Sequence, residues 1–151
     1  MKPRAVALTW RYDSGLVVSG VPDSDAALTT LSNAQQATIG LSCGSLVATF
    51  NNGLGPNDCA GKVVKSTLLT LPQAGLENDD HNPDRVKARH VFNIGIGTDN
   101  LFHTEKREKV TASIDIANLG NKVALYNFLS TFSGTHFLQS RTVVARIGLV
   151  F

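Results

Sequence analysis

R-T-V-V-A-R-I-G-L-V-F, Arg141 to Phe151, closes the chain and carries its clearest pattern. Side chains alternate across a strand, so Val143, Ala145, Ile147, Leu149 and Phe151 fall on one face. Thr142, Val144, Arg146, Gly148 and Val150 fall on the other. The first face is wholly apolar, while the second mixes a hydroxyl, a charge and a glycine. Apolar toward lipid, mixed toward a lumen and aromatic at the interface is the pattern of a transmembrane barrel strand. Eleven residues at ~3.3 Å each, tilted ~45°, span about 25 Å of bilayer normal, which fits. The competing reading is the last strand of a soluble β-sandwich, its apolar row turned to a core.

Composition bounds the choice. The 151 residues are one domain's worth of chain, or a piece of a larger one. Charged residues are 17%, below the ~25% of an ordinary globular domain, and hydrophobic ones are 42%. No apolar run approaches the ~20 residues of a membrane helix, so a membrane assignment rests on strands alone. A net charge of +2 argues for neither nucleic acid nor an anionic surface as partner. The start, M-K-P-R-A-V-A-L-T-W, has too short an apolar stretch for a secretion signal. Either the chain stays in the cytoplasm or its true N-terminus is missing.

Near that start, Val6, Leu8, Trp10 and Tyr12 alternate with Ala5, Ala7, Thr9 and Arg11, a strand signal ending in two aromatics. D-S-G at Asp13 to Gly15 reads as a turn. From Leu16 to Arg89 the texture changes: four of the five prolines lie here, among small polar residues with weak periodicity. This stretch reads as one long excursion, with Ser45 to Phe50 and Lys62 to Leu71 as its strand-like runs. Cys43 and Cys59 bracket the turn-rich segment between them. A bridge would close a loop of about 15 residues and contribute ~3 kcal/mol, and would suit an oxidising exterior. Two free thiols are the other reading, and without histidine neighbours the pair makes a poor zinc site. The excursion ends in E-N-D-D-H-N-P-D, Glu77 to Asp84. Its carboxylates and histidine offer ligands for calcium or a transition metal, but lacking EF-hand spacing the run reads as a solvated acidic loop, and no metal site is assigned.

After Arg89 regularity returns. Phe92, Ile94 and Ile96 alternate with Asn93, Gly95 and Gly97; Val110, Ala112, Ile114 and Ile116 alternate with Thr111, Ser113, Asp115 and Ala117. Both runs are two-faced strands like the last one. G-I-G at Gly95 to Gly97 is not a dinucleotide loop, because Asn100 stands where the third glycine belongs and no helix pattern follows. A charged turn, His103 to Lys109, joins these strands, and a second excursion, Asn118 to Ser140, precedes the closing strand. His81, His90, His103 and His136 lie in or beside loops, with no nucleophile–base pair at meaningful spacing, so neither catalysis nor a cofactor is expected.

Residues 89–151 resemble the C-terminal end of a TonB-dependent outer-membrane receptor. The resemblance is carried by F-N-I-G-I-G-T-D-N-L-F, then I-A-N-L-G-N-K-V-A-L-Y-N-F, then F-S-G-T-H-F, R-T and the terminal phenylalanine strand. W-R-Y-D-S-G-L-V at Trp10 to Val17 is similar to an earlier strand in large members carrying a carboxypeptidase-regulatory-like domain. Ser140 departs from the family's proline before R-T. The resemblance implies a plugged barrel of about 22 strands in the bacterial outer membrane, importing a ligand with energy from the inner membrane. It implies that Val143, Ala145, Ile147, Leu149 and Phe151 form the signal read by the barrel-assembly machinery.

The expected fold class is therefore all-β: antiparallel strands forming part of a transmembrane barrel, with residues 16–89 as one long external loop. Residues 1–151 would be the C-terminal portion of that barrel domain, with the plug and most strands outside it. Its expected partners are outer-membrane lipid, the assembly machinery and the remainder of the receptor. Val6, Leu8, Trp10, Phe92, Ile94, Ile96, Val110, Ile114, Ile116, Ile147 and Leu149 should then share one outer surface. Two alternatives stand beside this reading: a small outer-membrane barrel for adhesion or surface protection, and a soluble β-rich binding module.

Overall fold

The computed structural model describes residues 5–18, 23–76, 81–103, 105 and 107–151. In chain order the first elements are β1 (Ala5–Asp13), α1 (Ser24–Thr29), α2 (Asn33–Ile39), β2 (Leu41–Cys43) and β3 (Leu46–Val47). Then come β4 (Val64–Ser66), β5 (Leu69–Thr70), β6 (Arg85–Val86) and β7 (Arg89–Thr98). The last are β8 (Lys109–Ala117), β9 (Leu125–Ser130), β10 (Gly134–Phe137) and β11 (Thr142–Val150). The chain divides into two compact units that alternate along the sequence: Met1–Asp13, His90–Val123 and Leu138–Phe151 form the first, Ser14–Arg89 and Ala124–Phe137 the second.

The first unit holds one four-stranded sheet in the order β1-β7-β8-β11. Its centre is antiparallel and in register: Ile94 lies opposite Ile116, and Ile116 opposite Val143. One step along, Ile96 meets Ile114 and Ile114 meets Ala145. A single-residue slip would turn every apolar side chain to the other face, so the alternation in the sequence fixes this register. Asn118 pins the return between β8 and the later strands. Its backbone sits at φ 50°, and its Nδ2 donates to the Lys122 carbonyl at 3.0 Å and the Gln139 carbonyl at 2.9 Å. Asparagine tolerates that left-handed conformation better than most residues, and its amide stands in for the missing ladder.

The second unit is built differently. Short strands pair as β3-β2-β4, β5-β6 and β9-β10 around a core that includes Ile39, Leu41, Leu69, Val86, Leu125 and Phe128, all nearly or wholly buried. Two short helices feed that core. Asp23 caps α1, accepting from Ala26 N at 2.8 Å. Ser32 and Gln35 form a reciprocal capping box at the start of α2, and Gly40 ends it at φ 62°. Gly40 is required there twice over, since a Cβ would also collide with Thr67 Oγ1. Gln36, 2% exposed, ties the helices to the loop beyond them. Its Nε2 donates to the carbonyls of Ala27 at 3.2 Å and Leu54 at 3.0 Å, and its Oε1 accepts from Leu54 N at 2.6 Å. Arg89 is buried in the same unit, donating to the Leu125 carbonyl with its guanidinium 4.5 Å from the centre of the Tyr126 ring.

Two expectations are corrected by this architecture. Among the described residues the strands form four separate open sheets, and none of them closes into a barrel. Closure needs two neighbours for every strand, whereas β1 and β11 each end the larger sheet. The other sheets use strands of two to six residues, too short for the ~9–11 of a barrel strand. Nor are residues 16–89 an external loop. They supply both helices, five strands and most of the buried core of the second unit. The chain is a small β-rich fold rather than a length of receptor wall.

Candidate functional site: an uncharged sheet face

Residues directly opposite one another in a ladder share a face, so the pairings above define a surface. Val143, Ala145, Ile147 and Leu149 of β11 lie opposite Ile116, Ile114, Ala112 and Val110 of β8. Ile94, Ile96 and Thr98 of β7 continue those rows. His90 and Phe92 have the same parity on β7, and His90 receives Trp10 and Tyr12 from β1. The Trp10 indole N–H donates to His90 Nδ1 at 3.1 Å; the Trp10 and His90 rings stack at 5.8 Å between centroids, with Tyr12 at 4.9 Å from His90. These contacts set the end of β1 beside the start of β7 and put Val6, Leu8, Trp10 and Tyr12 on the common face. No charged side chain of the four strands points to it. Much of it meets solvent: Leu8 is 67% exposed, Ile147 80% and Leu149 69%.

The opposite face is polar and thin. Arg146 pairs with Asp115 across β11 and β8, and Arg11 with Asp13 at 3.4 Å along β1. Glycines make room for these groups: a Cβ at Gly95 would come within 2.9 Å of Asp115 Oδ1, and one at Gly148 within 2.7 Å of Thr111 Oγ1. An open groove results, lined by Gly97, Thr111, Ser113, Arg146 and Gly148. Both ion pairs are solvent-exposed and contribute at most about 1 kcal/mol each.

The other residues singled out in the sequence fall as follows. Val143, Ala145, Ile147 and Leu149 stand together on β11, and Phe151, 83% exposed, follows the strand. Cys43 and Cys59 are joined by a disulfide with Cα atoms 5.6 Å apart, in the second unit. Of the acidic run Glu77 to Asp84, residues 77–80 lie outside the described residues. Among the described residues no cluster of three or more His, Cys, Asp or Glu side chains could hold a metal ion. His136 sits on β10 with Nδ1 3.2 Å from Asn127 Oδ1. The Trp10–Tyr12–His90 cluster was not legible in the sequence, where its members lie 80 residues apart; the shared alternation of two strands is the one signal that could have joined them.

No family model, curated protein or solved structure matches the chain. The resemblance to a TonB-dependent receptor therefore has only its short motifs behind it, and the open sheets contradict the fold it implied. The expected transport role falls with the barrel. So do outer-membrane lipid, the assembly machinery and the rest of the receptor as partners, and the outer-membrane location. The row that was to carry the assembly signal is one edge of an open sheet. No described helix is long and apolar enough to cross a membrane.

Proposed function

We propose that the chain is a β-rich binding module, acting without catalysis, that engages a protein partner through the uncharged face of its four-stranded sheet. The exposure of that face is the observation behind the reading. Four strands at about 4.8 Å spacing and nine residues at about 3.3 Å rise give a footprint on the order of 600 Å². Lone proteins rarely expose a contiguous apolar patch beyond a few hundred Å², and larger ones mark sites of association. The chemistry of the face favours an apolar protein surface over nucleic acid, because no lysine or arginine of the strands reaches it to neutralise phosphate. His90, the one imidazole on it, has its Nδ1 engaged by Trp10. The second unit has its own buried core and a disulfide that suits an oxidising compartment.

An environment-sensitive dye such as anilinonaphthalene sulfonate tests the reading at submicromolar protein. The folded chain should enhance its fluorescence, and Leu8→Asp or Ile147→Asp should reduce that enhancement several-fold with the circular dichroism unchanged. No enhancement, or one indifferent to both substitutions, overturns it.

A further inference from the structure

We propose that the partner is a second copy of this chain, packed sheet on sheet across the uncharged face; this rests on the binding-module reading above. A footprint on the order of 600 Å² before side-chain relief approaches the ~800 Å² per partner of a standard stable interface. One way for a sheet to bury an apolar face is against another sheet about 10 Å away, in the aligned class with strands within about 30° of each other. The first unit has a single sheet among its described residues, and a two-fold related copy supplies the other layer with a face of the same size. A two-fold interface sets one patch against itself, so a charge near the axis faces its own image and repels it, whereas an apolar patch is complementary to itself throughout. This face carries none from its strands, whereas the opposite face, with Arg146, Asp115 and Lys109, does not meet that condition. Lipid is a poorer occupant. Among the described residues β1 and β11 have one neighbour each, and hydrocarbon does not tolerate unpaired strand edges.

The geometry distinguishes this assembly from edge-to-edge pairing, which would use backbone groups of β1 or β11 and leave Leu8 and Ile147 in water. Light scattering coupled to gel filtration, from low to high micromolar protein, reads the outcome. The parent mass should rise from 16.1 kDa toward twice that value with concentration. Leu8→Asp on β1 and Ile147→Asp on β11 should each hold it at 16.1 kDa, with unchanged circular dichroism. Phe132→Asp, an equally drastic change at a 99% exposed side chain of the second unit, should dimerise like the parent. A parent that stays monomeric throughout overturns the proposal, as does a dimer that survives both sheet substitutions or one that Phe132→Asp also abolishes. Monomeric protein that co-sediments with phosphatidylcholine vesicles overturns it in favour of lipid. A monomer whose face still binds dye removes the second copy and leaves the binding module; a monomer that binds none removes both.

Discussion

Replacing Gln36 by leucine keeps the side-chain volume close to constant and strips the core of the second unit of its central polar tie. In the parent, the amide joins α2 to the Ala27 carbonyl of α1 and to both backbone groups of Leu54. Ala27 is fully buried and Leu54 is 6% exposed, so water cannot take over freely when the amide is gone. A stranded buried donor or acceptor costs about 1–3 kcal/mol. With four groups affected, the Leu31 carbonyl at 3.4 Å being the weakest held, and some relaxation of the loop, Gln36→Leu should lose roughly 3 kcal/mol. In a unit of this size each kcal/mol moves the midpoint by about 4–8 °C, so the melting temperature should fall by roughly 12–24 °C. Urea and thermal unfolding followed by far-ultraviolet circular dichroism measure the loss. Trp10 fluorescence reports the first unit separately, since the only tryptophan lies there. A loss within about 0.5 kcal/mol, the range of neutral surface changes, refutes the claim that this glutamine holds the helices to the loop.

Two further changes probe the same unit. Cys43→Ser combined with Cys59→Ser should cost ~3 kcal/mol in urea unfolding, the loop-closure value for a bridge of this span; equal stability of the parent with and without reductant would contradict it. Phe128→Ala, at a side chain 1% exposed, should cost about 3–5 kcal/mol, and a much smaller loss would mean the β9 strand does not reach the core as described.

The sheet of the first unit was readable because strict alternation survives along β1, β7, β8 and β11 even where one face is bare. What the alternation could not show is whether the sheet closes. An apolar row looks the same in sequence whether it meets lipid, a core or a partner. In sequence the second unit reads as a loop for a definite reason. Its helices have six and seven residues, too few to show a period of 3.6, and the buried face of α2 is interrupted by the polar Gln36. Local signals were nevertheless present: Asp23 ahead of Ser24–Thr29, the Ser32–Gln35 capping box, and Gly40 at the end of α2. Its strands are two to four residues long apart from β9, and prolines around them suppress the pattern. Leu125 and Phe128 read as part of an excursion, because nothing local says that a hairpin after Asn118 returns to a core whose other members end at Val86.

That return has a kinetic side. Residues 124–137 complete the second unit, yet they lie between β8 and β11 of the first. As the chain leaves the ribosome, Ala5–Asp13 must wait for its sheet neighbour β7, made more than seventy residues later. The core around Ile39 and Leu41 must likewise wait for Leu125 and Phe128. Pairings this distant in sequence are slow to form and keep apolar strands unpaired in the meantime. Neither unit can be cut out as a continuous piece. A truncation after Val123 takes β9 and β10 from one and β11 from the other, so neither unit is complete until the residues beyond Val123 have been made.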